Sequence, residues 1–137
     1  MEIAEAQSFL SKHHRGVLVT RKRDGSLQMS PVSPGIDAEG RVIITTRETA
    51  YKTKNIRRDP RVSLCVFADA FHGSNWIQIN GGAEVLSLPE AMEPLIDWHS
   101  RVKGEHPNWT DYRQTMERQR RVLVRIAIES AGPDRKG

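Results

Sequence analysis

Residues 45–63 read TTRETAYKTKNIRRDPRVS, and this stretch decides the architecture because it joins two strand-like runs through a short basic segment. Its middle predicts a helix over residues 50–58, which follows Thr49, a residue type that caps helix N-termini. Asp59-Pro60 ends that helix, because proline disfavours the helical conformation of the residue before it. A strand, a cationic helix and a second strand are therefore expected in succession.

The positive charge of the chain is concentrated in the same stretch. The 137 residues include 21 Lys and Arg against 17 Asp and Glu, which gives a net charge of +4. Residues 47–61 hold six basic and two acidic side chains, so they account for the whole excess. Nucleic-acid binding usually calls for a wider basic stripe or a recognised module, and the sequence contains neither. The cluster indicates a compact anionic ligand or, as the plain alternative, a solvated helix face.

Outside this stretch, β-branched runs separated by tight turns predict a mainly β protein with peripheral helices. The predicted strands cover residues 16–20, 27–36, 41–46, 61–67, 76–86 and 121–128, and the predicted helices cover 3–14, 50–58, 88–102 and 111–118. Turns are expected at 23–26, 37–40 and 72–75. With only one long crossover, this order favours a small antiparallel barrel over a doubly wound parallel sheet. A single domain over residues 1–131 and a flexible tail over 132–137 are expected.

Two of the predicted strands carry irregularities. Pro31 and Pro34 mark residues 27–36 as an edge or bulged strand, because proline cannot donate to a β-ladder. Such a strand leaves backbone groups free to meet a ligand. Gly81-Gly82 interrupts the long strand over 76–86 and predicts a β-bulge there.

Several function classes are disfavoured by what the sequence lacks. Its five histidines form no two-turn helical pair with a carboxylate, so no metal site is expected. Cys65, the single cysteine, lies mid-strand as a small hydrophobe and indicates a reducing, cytoplasmic setting. Neither a nucleophile elbow nor a glycine-rich phosphate loop is present. No apolar run is long enough to span a membrane, and the acidic N-terminus is unlike a signal peptide.

The residues of the basic helix suggest how an anion is held. Lys52 and Asn55 are three residues apart and are expected to face one way, beside the strand-end hydroxyls of Thr45 and Thr46. An ammonium and a carboxamide in this setting can hold a phosphate or a carboxylate through charge-assisted hydrogen bonds.

The run Tyr51 to Ser63 also closely resembles the K-x-x-N-L-R-R-D-P-R-x-S segment of pyridoxamine 5′-phosphate oxidase-like split β-barrel proteins. Within that family it is most similar to the actinobacterial branch that uses the deazaflavin coenzyme F420. The likeness extends upstream through residues 16–20, 24–25 and 28–32, and downstream through 104–113 and 120–123. Nearly the whole chain is covered in order.

This resemblance implies a homodimer of split barrels with two cofactor sites at the subunit interface. Lys52 and Asn55 would hold the coenzyme phosphate with help from the threonine hydroxyls, β-strand residues would line the deazaflavin ring, and the partner subunit would close the site near Trp76. The implied cofactor-binding residues are Gln28, Ser30, Val32, Thr45, Thr46, Lys52, Asn55 and Trp76. Ala50 departs from related sequences that carry a second arginine beside the lysine.

The activity implied is hydride transfer from reduced coenzyme F420 to an electron-poor small molecule, such as a biliverdin-like tetrapyrrole, a quinone or a conjugated enone. No catalytic side chain is assigned, and Arg121 or Arg125 is considered only as a group that steers a proton. Three alternatives stay open: an FMN-dependent oxidase or reductase of the same fold, a non-catalytic flavin or deazaflavin carrier, and a nucleic-acid binder. Neither a nucleic-acid nor a membrane partner is expected.

Overall fold

The computed structural model describes residues 1–69 and 75–134. Within these ranges the helices are α1 (Ile3–Leu10), α2 (Tyr51–Arg58), α3 (Met92–Val102) and α4 (Trp109–Arg118). The strands are β1 (Arg15–Arg21), β2 (Leu27–Val32), β3 (Gly35–Ile36), β4 (Val42–Arg47), β5 (Arg61–Phe67), β6 (Trp76–Leu86) and β7 (Arg121–Gly132). The turn predicted at 72–75 lies outside the described residues except for Asn75, and so do residues 135–137 of the predicted tail.

The described strands form one antiparallel sheet in the order β2-β1-β5-β6-β7-β4-β3. The sheet curls into a half-barrel, which confirms the predicted mainly β, split-barrel fold with peripheral helices. The first hairpin, β1–β2, pairs Thr20 with Gln28 around the predicted turn, where Gly25 has a φ of 86°. This hairpin and the strand–helix–strand segment β4–α2–β5 position the candidate site.

Two hydrophobic clusters cover the two faces of the sheet. Inside the curl, buried side chains of β1, β5 and β6 pack against Ala6 and Leu10 of α1 and Ile56 of α2. On the other face, Ile43 of β4 and Leu123 of β7 pack against α3 and α4. Successive residues of β4 therefore face opposite sides of the sheet, because side chains alternate in direction along a strand.

The run over 27–36 was predicted as one strand and is instead two strands at opposite edges of the sheet. β2 contains Pro31 and pairs with β1 alone among the described strands, whereas β3 follows Pro34 and pairs with β4 alone among them. Pro34 has no N–H to continue the ladder, and its carbonyl accepts a hydrogen bond of 2.9 Å from His14 Nδ1. The prolines thus end one edge strand and allow the chain to cross to the other edge.

The start of α2 was also predicted wrongly. Its N-cap residue is Ala50, whose side chain makes no capping hydrogen bond, so Thr49 is not the cap. The first turn is instead held by Thr53, whose Oγ1 donates to the carbonyl of Arg47 over 2.6 Å. This bond fastens the helix directly to the end of β4.

Other element boundaries shift by a few residues. α1 ends at Leu10 rather than residue 14, and α3 begins at Met92 rather than residue 88. α4 begins at Trp109, because the Asn108 side chain accepts a hydrogen bond from the Asp111 N–H at its N-terminus. β7 runs to Gly132, so the first residue of the predicted tail lies in a strand.

Candidate functional site

Helix α2 packs against β1 and β6 and carries two of the four predicted anion-binding residues, Lys52 and Asn55. Its buried side chains are Thr53, Asn55 and Ile56, of which only Ile56 is apolar. A helix that buries a polar threonine and asparagine must satisfy them within the protein or with a ligand. The contacts of α2 therefore separate structural from ligand-facing side chains.

Lys52 of α2, Arg47 at the end of β4 and Arg121 at the start of β7 form a group that we call the cation cluster. Arg47 and Arg121 are register partners across the two strands. Partial burial, followed by the charge of Arg121, lowers the pKa of Lys52 below its usual 10.5. Burial and the charge of Arg47 likewise lower the pKa of Arg121. Among the described residues, none of the three cations forms an ion pair with a carboxylate.

Thr45 presents an unpartnered hydroxyl on the same sheet face as the cation cluster. It precedes Arg47 by two residues, so both side chains leave β4 on one side, and it pairs with Leu123, two residues after Arg121. Its Oγ1 is buried without a hydrogen-bond partner in the part of the chain that the structure describes. Thr46 leaves β4 on the opposite face, toward the interior of the curl, and is 4% exposed.

Asn55 lies away from the cation cluster, against the β1–β2 hairpin. Its Nδ2 donates to Thr20 Oγ1 over 3.1 Å and to Gln28 Oε1 over 2.8 Å. Lys52 is instead close to Arg121 of β7. Lys52 and Asn55 are one turn apart on α2, but their surroundings differ: Asn55 bonds to the β1–β2 hairpin, whereas Lys52 is within the electrostatic influence of Arg121.

The ring-lining residues expected on β2 share one face of that strand. Gln28, Ser30 and Val32 are partly buried on the inner side, and the alternate residues of β2 are exposed on the outer side. Gln28 and Asn55 line, together with Lys22 and Tyr51, a cavity of about 360 Å³. As an edge strand, β2 has β1 as its one neighbour among the described strands.

Trp76 is not brought near α2 within one chain. It begins β6 opposite Phe67, whereas Ala83, farther along β6, donates its N–H to the carbonyl of Pro60 just after α2. At a rise of about 3.3 Å per residue, Trp76 lies roughly 20 Å along the strand from that junction. Within one chain, Trp76 is therefore distant from the junction that follows α2.

Arg47 was missed as a site residue, and Arg121 was considered only for steering a proton. Their proximity comes from the pairing of β4 with β7, strands far apart in the sequence. The sequence does show that each arginine lies at the end of an apolar strand. It does not show that β4 and β7 pair in the register that brings Arg47 opposite Arg121.

Neither a metal site nor a helix able to cross a membrane is found among the described residues. No group of three or more His, Cys, Asp or Glu side chains is placed to hold a metal ion. None of the described helices combines the length and apolar character needed to cross a bilayer. His99, His106, Trp109 and Tyr112 form a ring cluster beside α3 and α4, in which burial raises the pKa of Tyr112 to about 12.

Comparison with known families resolves the affiliation of this fold. The sequence model of the pyridoxamine 5′-phosphate oxidase family matches residues 3–132. The chain belongs to this family. Membership of the family confirms the resemblance inferred from residues 51–63. The family includes oxidoreductases and binds flavin.

Solved structures of similar fold differ in what they are described to do. The conserved hypothetical protein Rv2991 of Mycobacterium tuberculosis is 25% identical, with a TM-score of 0.77 over 96% of this chain and 82% of its own. An F420 reductase is 20% identical, with a TM-score of 0.70 over 92% and 94% of the two chains. HutZ, the haem storage protein of Vibrio cholerae, is 16% identical, with a TM-score of 0.71 over 96% and 94%. The last two likenesses show the shared fold.

Proposed function

We propose that this protein is an oxidoreductase that transfers a hydride from reduced coenzyme F420 to an electron-poor organic acceptor, with FMN as the alternative cofactor. The observation that carries the proposal is the cation cluster. Lys52, Arg47 and Arg121 influence one another electrostatically and form no ion pair among the described residues, and an unpartnered Thr45 hydroxyl lies on the same sheet face as the two arginines. Three clustered cations repel one another, so an anionic group bound among them relieves an unfavourable arrangement.

The residues present fit the phosphate that both coenzymes carry. Lys52 and the two arginines can donate charge-assisted hydrogen bonds to its oxygens, and the Thr45 hydroxyl gains an acceptor. A bound phosphate also favours the charged form of Lys52, so it opposes the effect of burial on the pKa of that lysine. Thr46 is buried and faces the interior of the curl, so it is not proposed to contact the phosphate.

The remaining residues are proposed to orient the ring and exclude water. Gln28, Ser30 and Val32 on the inner face of β2 form one wall, and Trp76 of a second copy closes the other side. When bound, the reduced deazaflavin supplies the hydride, and the protein supplies its orientation toward the acceptor. The resemblance of residues 51–63 to the deazaflavin branch supports the choice of F420 over FMN. We also propose that the protein acts in the cytoplasm.

Titration of the purified protein with oxidised F420 and with FMN tests this function. Tight binding of F420, followed by its oxidation from the reduced form when quinones, tetrapyrroles or enones are added, is the expected result. Tight FMN binding without F420 binding would replace the cofactor assignment. Binding of F420 without turnover of any acceptor would indicate a carrier instead of an enzyme.

We also propose that the protein is a homodimer, because the site needs Trp76 from a second copy. The outer face of β2 and its neighbour supplies an apolar surface for that contact. Met29 is 70% exposed there and Leu27 is 53% exposed, and Met29 is the register partner of the half-buried Val19. Exposed apolar patches of this kind are typical of association surfaces.

The double variant Val19→Glu, Met29→Glu is therefore expected to be a monomer. Carboxylates introduced into an apolar contact and facing their symmetry copies repel one another and lose hydration. Light scattering after gel filtration should give twice 15.5 kDa for the wild type and 15.5 kDa for the variant. Ile3→Glu, on an exposed position of α1, is the control and should leave the mass unchanged. A monomeric wild type would contradict the dimer.

A further inference from the structure

Both N–H groups of the Asn55 carboxamide donate within the protein. Its residue is 6% exposed, and a carboxamide has two N–H donors. One is given to Thr20 Oγ1 at 3.1 Å and the other to Gln28 Oε1 at 2.8 Å, while Oδ1 accepts from Arg58 Nη2 at 2.9 Å. No N–H of Asn55 is left to donate to a phosphate.

These bonds connect α2 to one rung of the β1–β2 hairpin. Thr20 and Gln28 are register partners, so a single side chain holds both members of the pair. Arg58, which bonds to Asn55, also donates from Nη2 to the carbonyl of Arg21, the next residue of β1. The Asn55 side of α2 is thus fastened to the hairpin at two successive β1 residues.

The attachment matters most for β2, which is an edge strand. It is paired on one side by β1 and contains Pro31, which donates no N–H to the ladder. β2 therefore has fewer backbone hydrogen bonds to neighbouring strands than a central strand has. The Asn55–Gln28 bond supplies a contact to β2 from outside the sheet.

We infer that Asn55 is a positioning residue that sets the distance between the cation cluster and the β2 wall. Lys52 and Asn55 are one helical turn apart on α2, and one lies near the cation cluster while the other holds Gln28. A coenzyme with its phosphate at Lys52 and its ring along β2 is then held at both ends by one rigid helix. This inference rests on the proposed function and assigns Asn55 a different role from the phosphate contact that the resemblance implies.

Hydrogen exchange of the ligand-free protein tests the attachment without any coenzyme. In Asn55→Ala, the amides of residues 27–32 are expected to exchange about tenfold faster than in the wild type. Lys52→Ala removes a side chain from the same helix and should leave β2 exchange unchanged. Gln28→Ala removes the bond from its other end, keeps Asn55 in place, and should accelerate the same amides. Unchanged exchange of residues 27–32 in both Asn55→Ala and Gln28→Ala would overturn the inference.

Binding measurements then distinguish positioning from direct phosphate contact. With inorganic pyrophosphate as the probe, Asn55→Ala should retain affinity within about twofold, whereas Lys52→Ala should lose about tenfold or more. With F420 or FMN, Asn55→Ala should change the absorbance shift of the bound ring relative to the wild type. Equal loss of pyrophosphate affinity in the two variants would make Asn55 a ligand and overturn the inference. If the wild type binds neither coenzyme, the proposed function is wrong. The inference that Asn55 positions a coenzyme is then also wrong, even if the exchange experiment gives the expected result.

Discussion

Replacing Lys52 with glutamine is expected to weaken binding of the phosphorylated coenzyme by about ten- to a hundredfold, because a hydrogen bond to a charged group contributes roughly 1.5–3 kcal/mol. The effect is large because burial and the charge of Arg121 disfavour the protonated form of Lys52, and a bound anion stabilises that form. Fluorescence or absorbance titration of both proteins measures it. Affinity of the wild type should also fall as pH rises through the pKa of Lys52, which lies below 10.5.

The same variant should be at least as stable as the wild type when no ligand is bound. Since the pKa of Lys52 is lower in the folded than in the unfolded protein, the unfolded state binds the proton more tightly. At neutral pH this difference lowers stability, and it is relieved as pH rises toward the unfolded value. Lys52→Gln removes it, so the Tm of the variant is expected to be no lower than that of the wild type.

Lys54→Gln is the matched control for both measurements. Lys54 lies two residues away on the same helix, is exposed, and has its Nζ 5.8 Å from the centre of the Tyr51 ring. Removing its charge should leave coenzyme affinity and Tm nearly unchanged. Similar losses of affinity in the Lys52 and Lys54 variants would indicate a diffuse charge effect rather than a built site.

Gly81→Ala is expected to lower the free energy of unfolding by about 3 kcal/mol, the upper part of the range for forcing an atom into a packed core. A Cβ at Gly81 would lie 2.1 Å from the carbonyl oxygen of Ala127 on β7, and neither backbone can move away without breaking the ladder. The register of β6 and β7 shifts between Asn80 and Gly81, which confirms an irregularity at the predicted position, although the extra residue is Glu129 of β7 and not a residue of β6.

Gly82→Ala supplies the control for that prediction. The nearest atom to a Cβ at Gly82 is Glu129 Oε1 at 3.5 Å, an ordinary contact with the end of a flexible side chain. Urea unfolding should therefore give a midpoint close to that of the wild type for Gly82→Ala and a much lower one for Gly81→Ala. Equal midpoints for the two variants would contradict the placement of the bulge.

Most of the fold could be predicted from the sequence because its signals are local. Turn residues, β-branched runs and the proline after Asp59 mark where elements end, and the chain order then favours an antiparallel barrel. The division of residues 27–36 could not be predicted, because both prolines are compatible with one bulged edge strand. Only the pairing of β3 with β4 shows that the second half belongs to the opposite edge.

The candidate site divides in the same way. Lys52 could be found because it lies in a basic segment whose spacing and family resemblance both indicate an anion. Arg47 and Arg121 could not, since their proximity depends on the β4–β7 register. The role of Asn55 was equally hidden, because its partners Thr20 and Gln28 are 35 and 27 residues away along the chain. A spacing of three on a helix indicates that Lys52 and Asn55 are neighbours, but it does not show that both N–H groups of Asn55 are used by the β1–β2 hairpin.

A crystal structure of the protein grown with F420 or FMN tests the central claim most directly. We expect the coenzyme phosphate within hydrogen-bond distance of Lys52 Nζ, with Arg47 and Arg121 around it and the ring along the inner face of β2. A bound coenzyme whose phosphate lies elsewhere, with the Lys52 ammonium in solvent, would contradict the assignment of the cation cluster.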